Sequence, residues 1–457
     1  MESLSRRAAL RAGVAGGAAI GGAFAFSPAA HASAVAPGED WISVTDHGAV
    51  GDGVTDDTAA IQAALNAARA VTPHRSVHFP AGRVYRVSDQ LTASGLTDVV
   101  IAGQGATLAL RGAAAASPGG KSVLRLAGCR RFVVTGLTIK DTDRTQSYNG
   151  LGMAQCEGGT VEGVTVLDMK WNGIGVFDPT PRTSHNIAIH GCVVEGSRFG
   201  ISTNGRDVRI TGNHVAMYWQ STAEAAAKGG VWSTPSDYYD GINVLTGADR
   251  TVVSDNTVTE CGQGGIYTQD VTNLVIADNT VTGCELRGIE VDGTASVATG
   301  VTITGNVVTG CYGQINLVKT RDVVVVGNRT ANPNPAKAVS CIAINIGTAK
   351  AVVVGNHFDQ SHPSHPAVYV ESAATDVTVA WNSVVAAVPY QNPTETVLMY
   401  RSGPAQIKTN AKFIAAGGIG VGNSAPAGSV GSVVRKIEVF SATGASLGWI
   451  PVYNSIT

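Results

Sequence analysis

Short apolar runs broken by Gly, Asn and Asp recur along most of the chain, and from about residue 160 they fall into a unit. Leu274-Val275-Ile276-Ala277-Asp278-Asn279-Thr280-Val281-Thr282-Gly283-Cys284 followed by Gly288-Ile289-Glu290-Val291 aligns with Val301-Thr302-Ile303-Thr304-Gly305-Asn306-Val307-Val308-Thr309-Gly310-Cys311 followed by Gln314-Ile315-Asn316-Leu317. The unit asparagines are Asn213, Asn256, Asn279, Asn306, Asn328, Asn356 and Asn382, with steps of 43, 23, 27, 22, 28 and 26 residues. A period near two dozen residues built from short strands predicts a solenoid, because one unit cannot bury its apolar face alone and stacked units can. Rungs ~4.8 Å apart in parallel register, about a dozen of them, give a rod of ~55 Å. The asparagines predict a structural ladder at a turn, each side chain bonding main chain and its neighbour one rung away.

Alternation fixes which residues of the Gly-Ile-x-Val strands reach solvent. Ile and Val point inward, so the x residues form an outward column of Gly175, Ser202, Asn243, Tyr267, Glu290 and Asn316. The next outward column is Phe177, Asn204, Leu245, Gln269, Asp292 and Val318. That face is polar at rung spacing, which suits a polysaccharide.

Ahead of the repeats, Asp46-His47-Gly48-Ala49-Val50-Gly51-Asp52-Gly53-Val54-Thr55-Asp56-Asp57-Thr58 is a Gly/Asp turn feeding a helix. Asp56 or Asp57 can accept the free N–H groups of its first turn, and Ile61, Ala64, Leu65 and Ala68 form one apolar stripe. A stack of strands exposes its first rung, and this helix is the predicted lid. The stretch from Asp46 through the helix resembles the N-terminal signature of the pectate-lyase-like, right-handed parallel β-helix superfamily, which includes polygalacturonase-like glycosidases, polysaccharide lyases, uronan epimerases and phage tailspikes. The resemblance implies an all-β chain, a right-handed parallel β-helix solenoid with a short N-terminal capping helix. It also implies that Asp52, Asp56 and Asp57 are cap residues, and that a homotrimer is an available assembly.

The expected organisation is a twin-arginine-type signal peptide over 1–32, the β-helix with its cap over 33–400, and a small C-terminal β element over 401–457. Ser5-Arg6-Arg7 before an Ala/Gly-rich apolar run ending in Ala30-His31-Ala32 carries the first assignment, and with it secretion. Val433–Phe440, a Thr443-Gly444 turn and Leu447–Tyr453 predict a hairpin in the last segment, a cap or an oligomerisation element.

Composition narrows the function. A net charge of −2 offers no basic surface for nucleic acid or acidic lipid, and no stretch after the signal is long and apolar enough to cross a bilayer. Cys261, Cys284 and Cys311 recur at one point of successive units, so the seven cysteines read as buried thiols rather than bridges. No metal or other cofactor is expected, since no Cys-x-x-Cys pair or clustered histidines accompany the cysteines.

The 43-residue step holds an insertion rich in aromatics, Tyr218, Trp219, Trp232, Tyr238 and Tyr239, in a chain with only 6% aromatics. Solenoid insertions become loops on one face, so this one reads as a wall of a carbohydrate groove. Glu290 and Asp292 share a strand face with Cα atoms ~6.8 Å apart, a spacing at which two carboxyls can serve glycoside cleavage. Asp240 stands at the foot of the insertion, with Asp178 and Asp270 at the opposite edge. Asn243, Tyr267, Gln269 and Asn316 are expected to bind substrate beside them. The leading expectation is a secreted enzyme cleaving glycosidic bonds by carboxylate acid–base chemistry.

Arg287, Lys319 and Arg321, read as neighbours on the same face, support the alternative of a uronan lyase or C5-epimerase, which must neutralise a substrate carboxylate while a base takes the C5 proton. Phe177-Asp178-Pro179-Thr180 is similar to the Asp-Pro-His motif of alginate epimerases, with Thr180 at the His position. A non-catalytic glycan-binding fibre is the third reading.

Overall fold

The computed structural model describes residues 41–113, 119–143, 147–178, 180–217, 239–332 and 339–388, and the backbone of 389–391, 397–402, 406–409, 433–440 and 446–453. The predicted signal segment and the insertion aromatics Tyr218, Trp219, Trp232 and Tyr238 lie outside the described residues.

The chain is a parallel β-solenoid. One sheet contains twelve strands, from Leu91–Ser94 through Lys121–Ala127, Tyr148–Ala154, Asn172–Val176, Phe199–Thr203, Ile242–Val244, Gly264–Gln269, Arg287–Asp292 and Gly313–Val318 to Val388–Gln391. Between successive strands of this sheet, most turns add two short strands to a second, larger sheet. In one turn these are Thr272–Ala277 and Thr280–Thr282, bent about Asn279. Every rung pairs in parallel with the next, so Ile201, Ile242, Ile266, Ile289 and Ile315 stack in one fully internal column. The interior is aliphatic, with the seven cysteines free and buried in it.

The asparagine ladder is continuous. Each Nδ2 from Asn213 to Asn356 donates to the Oδ1 of the next, at 2.9 Å in all six links, and the same Oδ1 accepts the preceding asparagine's main-chain N–H. The residue before each asparagine must take a left-handed conformation to make the bend, which is why it is Gly or Asp at six of the seven positions, as at Gly305 and Asp278. Asn213 and Asn256 are one rung apart despite a step of 43 residues in the chain, so the insertion leaves the register untouched.

The lid is helix α1, Thr58–Arg69, which buries Ile61, Ala64, Leu65 and Ala68 as predicted. Asp56 accepts the Thr58 N–H at 3.1 Å, whereas Asp57 turns back to take the N–H groups of Val50 and Gly51 and holds the turn rather than the helix. Toward the C-terminus of the sequence Val433–Phe440 and Ser446–Tyr453 pair antiparallel in a sheet of their own. No described helix is long and apolar enough to cross a membrane.

Candidate active site

The outward column reads as the alternation predicts. Gly175, Ser202, Asn243, Tyr267, Glu290 and Asn316 are successive register partners across the twelve-stranded sheet. A cleft of about 370 Å³ opens on this column, lined by Phe199, Tyr239, Asp240, Asn243, Leu245, Gln263, Gly264, Tyr267, Leu286 and Glu290. It brings together two of the predicted acids, Asp240 and Glu290, with Asn243, Tyr267 and Tyr239.

Asp240 is 7% exposed, and its Oδ1 accepts the Gly264 N–H at 2.8 Å. Burial pushes its carboxyl up to about 7; the nearby Glu290 charge adds to this and the Gly264 N–H opposes it. Counting back from the paired isoleucines, Asp240, Gly264 and Arg287 hold one position on three consecutive rungs. Gly264 leaves the notch into which the Asp240 carboxyl leans, since a Cβ there would stand 2.8 Å from Oδ1.

Glu290 is also raised, chiefly by burial, while the Asn316 hydrogen bond and the Arg287 charge pull it back. Asn316 donates to Oε1 at 2.6 Å and is itself held by Asn345, whose Nδ2 donates to Asn316 Oδ1 at 2.6 Å. A three-residue chain thus fixes the carboxylate. Asp292 lies on the same strand but accepts from the Tyr267 hydroxyl at 3.3 Å and from Thr294 Oγ1, so it positions Tyr267 at the wall of the cleft. Gln269 is its register partner and does not line the cleft. The buried Oδ1 of Asn243 has no hydrogen-bond partner among the described residues, which leaves one acceptor on the cleft floor for a ligand hydroxyl.

Other predicted site residues go elsewhere. Asp178 accepts the N–H groups of Gln155 and Ser184, both at 2.6 Å, and the Ser184 hydroxyl. Asp270 accepts the N–H groups of Ala295 and Ser296 and the Thr246 hydroxyl. Both are turn-holding carboxylates outside the cleft. The three cations do not share a face. Arg287 leans over Gly313 toward the Tyr312 ring at the near edge of the sheet. Lys319 follows the far edge in a left-handed turn with its Nζ on Thr294 O, and Arg321 belongs to Thr320–Val326 of the other sheet. A bend at Lys319 sends the chain round the corner, and no Gly or Pro announces it.

The sequence reading missed an aromatic wall. Trp171 packs edge-on to Phe199 at 5.4 Å, and Phe199 meets Tyr239 at 5.1 Å. The Arg198 guanidinium lies over Trp171 at 4.8 Å and over Tyr239 at 4.6 Å. Its signal was available as an aromatic one or two residues before the glycine of three successive units, Trp171 before Gly173, Phe199 before Gly200 and Tyr239 before Gly241. Among the described residues no group of three His, Cys, Asp or Glu side chains is placed to hold a metal ion.

Residues 149–331 match the family described as the right handed beta helix region. The match and the parallel solenoid agree on a right-handed parallel β-helix fold. It is similar to the tail spike protein of Salmonella phage epsilon15, 31% identical over 110 residues, 23% of this chain and 10% of that one. It is also 29% identical over 243 residues to mannuronan C5-epimerase AlgE1 of Azotobacter vinelandii, covering 50% of this chain and 16% of the relative. The chain therefore spans a small part of the length of these curated relatives. Among solved structures, the A-module of A. vinelandii mannuronan C-5 epimerase AlgE4 superposes with a TM-score of 0.60 at 18% identity, over 79% of this chain and all of that one, a likeness of fold.

Proposed function

We propose that this chain is a polysaccharide-acting enzyme that cleaves glycosidic bonds, with Asp240 as proton donor and Glu290 as the partner carboxylate. The observation that carries the reading is a buried Asp240 carboxyl held near 7, beside a second carboxyl fixed by Asn316. A protonated Asp240 gives its proton to the leaving glycosidic oxygen as the C–O bond breaks, and ionised Glu290 stabilises or attacks the developing cation, or activates the water that does so. A positioned acid of this kind supplies on the order of 10²–10⁴ in rate. Tyr239 and Phe199 offer ring faces to sugar C–H surfaces, and Asn243 Oδ1 an acceptor to a hydroxyl. The names of the relatives, a tail spike and mannuronan epimerases, fit a carbohydrate polymer on this face.

The likeness to mannuronan C5-epimerases over half of the chain favours a second reading. There Glu290 takes the C5 proton of a uronate while Arg287, on the same strand, faces the sugar carboxylate. The deciding experiment incubates the protein with neutral and uronic polysaccharides and follows reducing ends, ultraviolet absorbance of unsaturated uronides, and C5 configuration by NMR. Reducing ends without absorbance, lost in Asp240→Asn, support hydrolysis. New absorbance or inverted C5 centres replace it with the second reading, and glycan binding without turnover leaves the fibre.

A further inference from the structure

A second cavity, of about 390 Å³, lies on the same sheet face several rungs nearer the lid. Its floor follows from the outward column, which continues from Ser202 through Gly175 and Gly152 to Arg125. Two successive glycines hollow the sheet there, and Arg125 rises at the end of the hollow. Arg125 is partly buried and makes no hydrogen bond or ion pair among the described residues, whereas neighbouring Arg130 and Arg131 face Glu157 and Asp98. Asp178 also lines the cavity, but its carboxylate is engaged by the Gln155 and Ser184 N–H groups and the Ser184 hydroxyl, so the Arg125 guanidinium is left as a ready site for a planar anion.

The two cavities share walls. Trp171 lines the second one and Tyr239 the first, and Phe199 joins them in the aromatic row, so one wall runs past both. Beneath it a row of side chains crosses the rungs: Asn172 Nδ2 donates to Asn149 Oδ1 at 2.8 Å, Ser202 Oγ to Asn172 Oδ1 at 2.8 Å, and Asn243 Nδ2 to Ser202 Oγ at 3.5 Å. The row ends at the unpartnered Asn243 Oδ1. From Arg125 to Asn243 is four rungs, ~19 Å, a reach of several sugar residues.

We propose that the Arg125 cavity is a distal subsite of the same groove, and that it takes the carboxylate of a uronic acid residue, so that the polymer bound is an acidic one. This rests on the reading of the face as a polysaccharide groove. The carboxylate lies in the hollow over Gly152 and Gly175 against the guanidinium, the ring stacks toward Trp171 and Phe177, and the chain runs along the aromatic wall to the Asp240 cleft.

The test measures binding of oligomannuronates and oligogalacturonates of graded length to the full chain by calorimetry. Each is compared with the same oligomer whose carboxyls have been reduced to alcohols. Oligomers long enough to span both cavities are expected to bind about tenfold or more tighter in the acidic form. Arg125→Gln removes that preference and Arg125→Lys restores part of it, with unfolding midpoints unchanged. Gly175→Leu, which fills the hollow and keeps the charge, weakens long acidic oligomers too. Retention of the acidic preference in Arg125→Gln, or binding of neutral oligomers alone, overturns the subsite and leaves the polysaccharide reading standing. Absence of binding and turnover with every glycan overturns both.

Discussion

Asp240 does not bond within its own rung: its carboxylate reaches to the next and accepts the Gly264 N–H at 2.8 Å. The acid is therefore placed by main chain that the solenoid core holds rigid. Replacing Gly264 with Ala puts a methyl 2.8 Å from Oδ1, where the side chain is what must yield. Activity is expected to fall about tenfold or more, as a misplaced catalytic group costs, while the thermal midpoint stays nearly constant. A large drop in midpoint with activity per folded molecule preserved would separate Gly264 from catalysis.

A proton donor held at about 7 sets the alkaline limb of the rate profile. Turnover should decline above pH 7 and its limb should vanish, with most of the activity, in Asp240→Asn. The acid limb belongs to Glu290, displaced upward from the ordinary glutamate value of 4.5 by burial.

The same carboxyl links stability to pH. Its folded value lies above the ordinary 3.8, so between roughly 3.8 and 7 the folded chain holds a proton that the unfolded chain has released. Stability contributed by this site is full below 3.8 and is lost as pH rises to 7, on the order of 4 kcal/mol in all. Denaturant titrations at pH 4 and pH 7.5 should show the decline in the wild type and a smaller one in Asp240→Asn.

Asn306→Ala breaks the ladder in mid-rod. It strands the main-chain N–H and one of the two Nδ2 hydrogens of Asn279, the other still donating to Val253 O, and takes the Asn306 donor from Ile276 O. With three buried polar groups unsatisfied, a loss of about 2–4 kcal/mol is expected, read as a shift of the denaturation midpoint. A change under half a kcal/mol would show that the ladder is decorative.

The thiols should be silent. Burial pushes Cys192 and Cys341 up to about 12 and raises Cys311, and the Cys261 hydrogen bond with burial raises Cys284. Cys129 is drawn down by its Cys156 hydrogen bond, but its side chain is fully enclosed and out of a reagent's reach. A disulfide reagent at pH 8 is expected to find no rapid native thiol and seven after unfolding, and reductant to leave the thermal midpoint where it was.

The face of the site was legible before its edges were. A period of two assigns Tyr267, Glu290 and Asn316 to one outward column once Ile266, Ile289 and Ile315 are known to face the core, and the structure pairs them so. Lys319 and Arg321 were misplaced because the corner between sheets is turned by a non-glycine residue in a left-handed conformation, which leaves no mark in composition. Asp178 and Asp270 looked available because a carboxylate engaged by main-chain N–H groups has the same letter as a free one. Arg125 and Trp171 went unread since the early rungs lack the asparagine at the bend and carry their cysteines, Cys129 and Cys156, at another point of the turn, so they do not align with the later ones.

The one-rung bond between Asn213 and Asn256, drawn across 43 residues, separates two jobs that most enzymes entangle. The rail keeps time for the rod, and the excursion between its sleepers is free to lengthen, shorten or change chemistry without any strand hearing of it. Recognition on such a scaffold can be rewritten loop by loop, while Asp240 and Glu290 keep their places on the track.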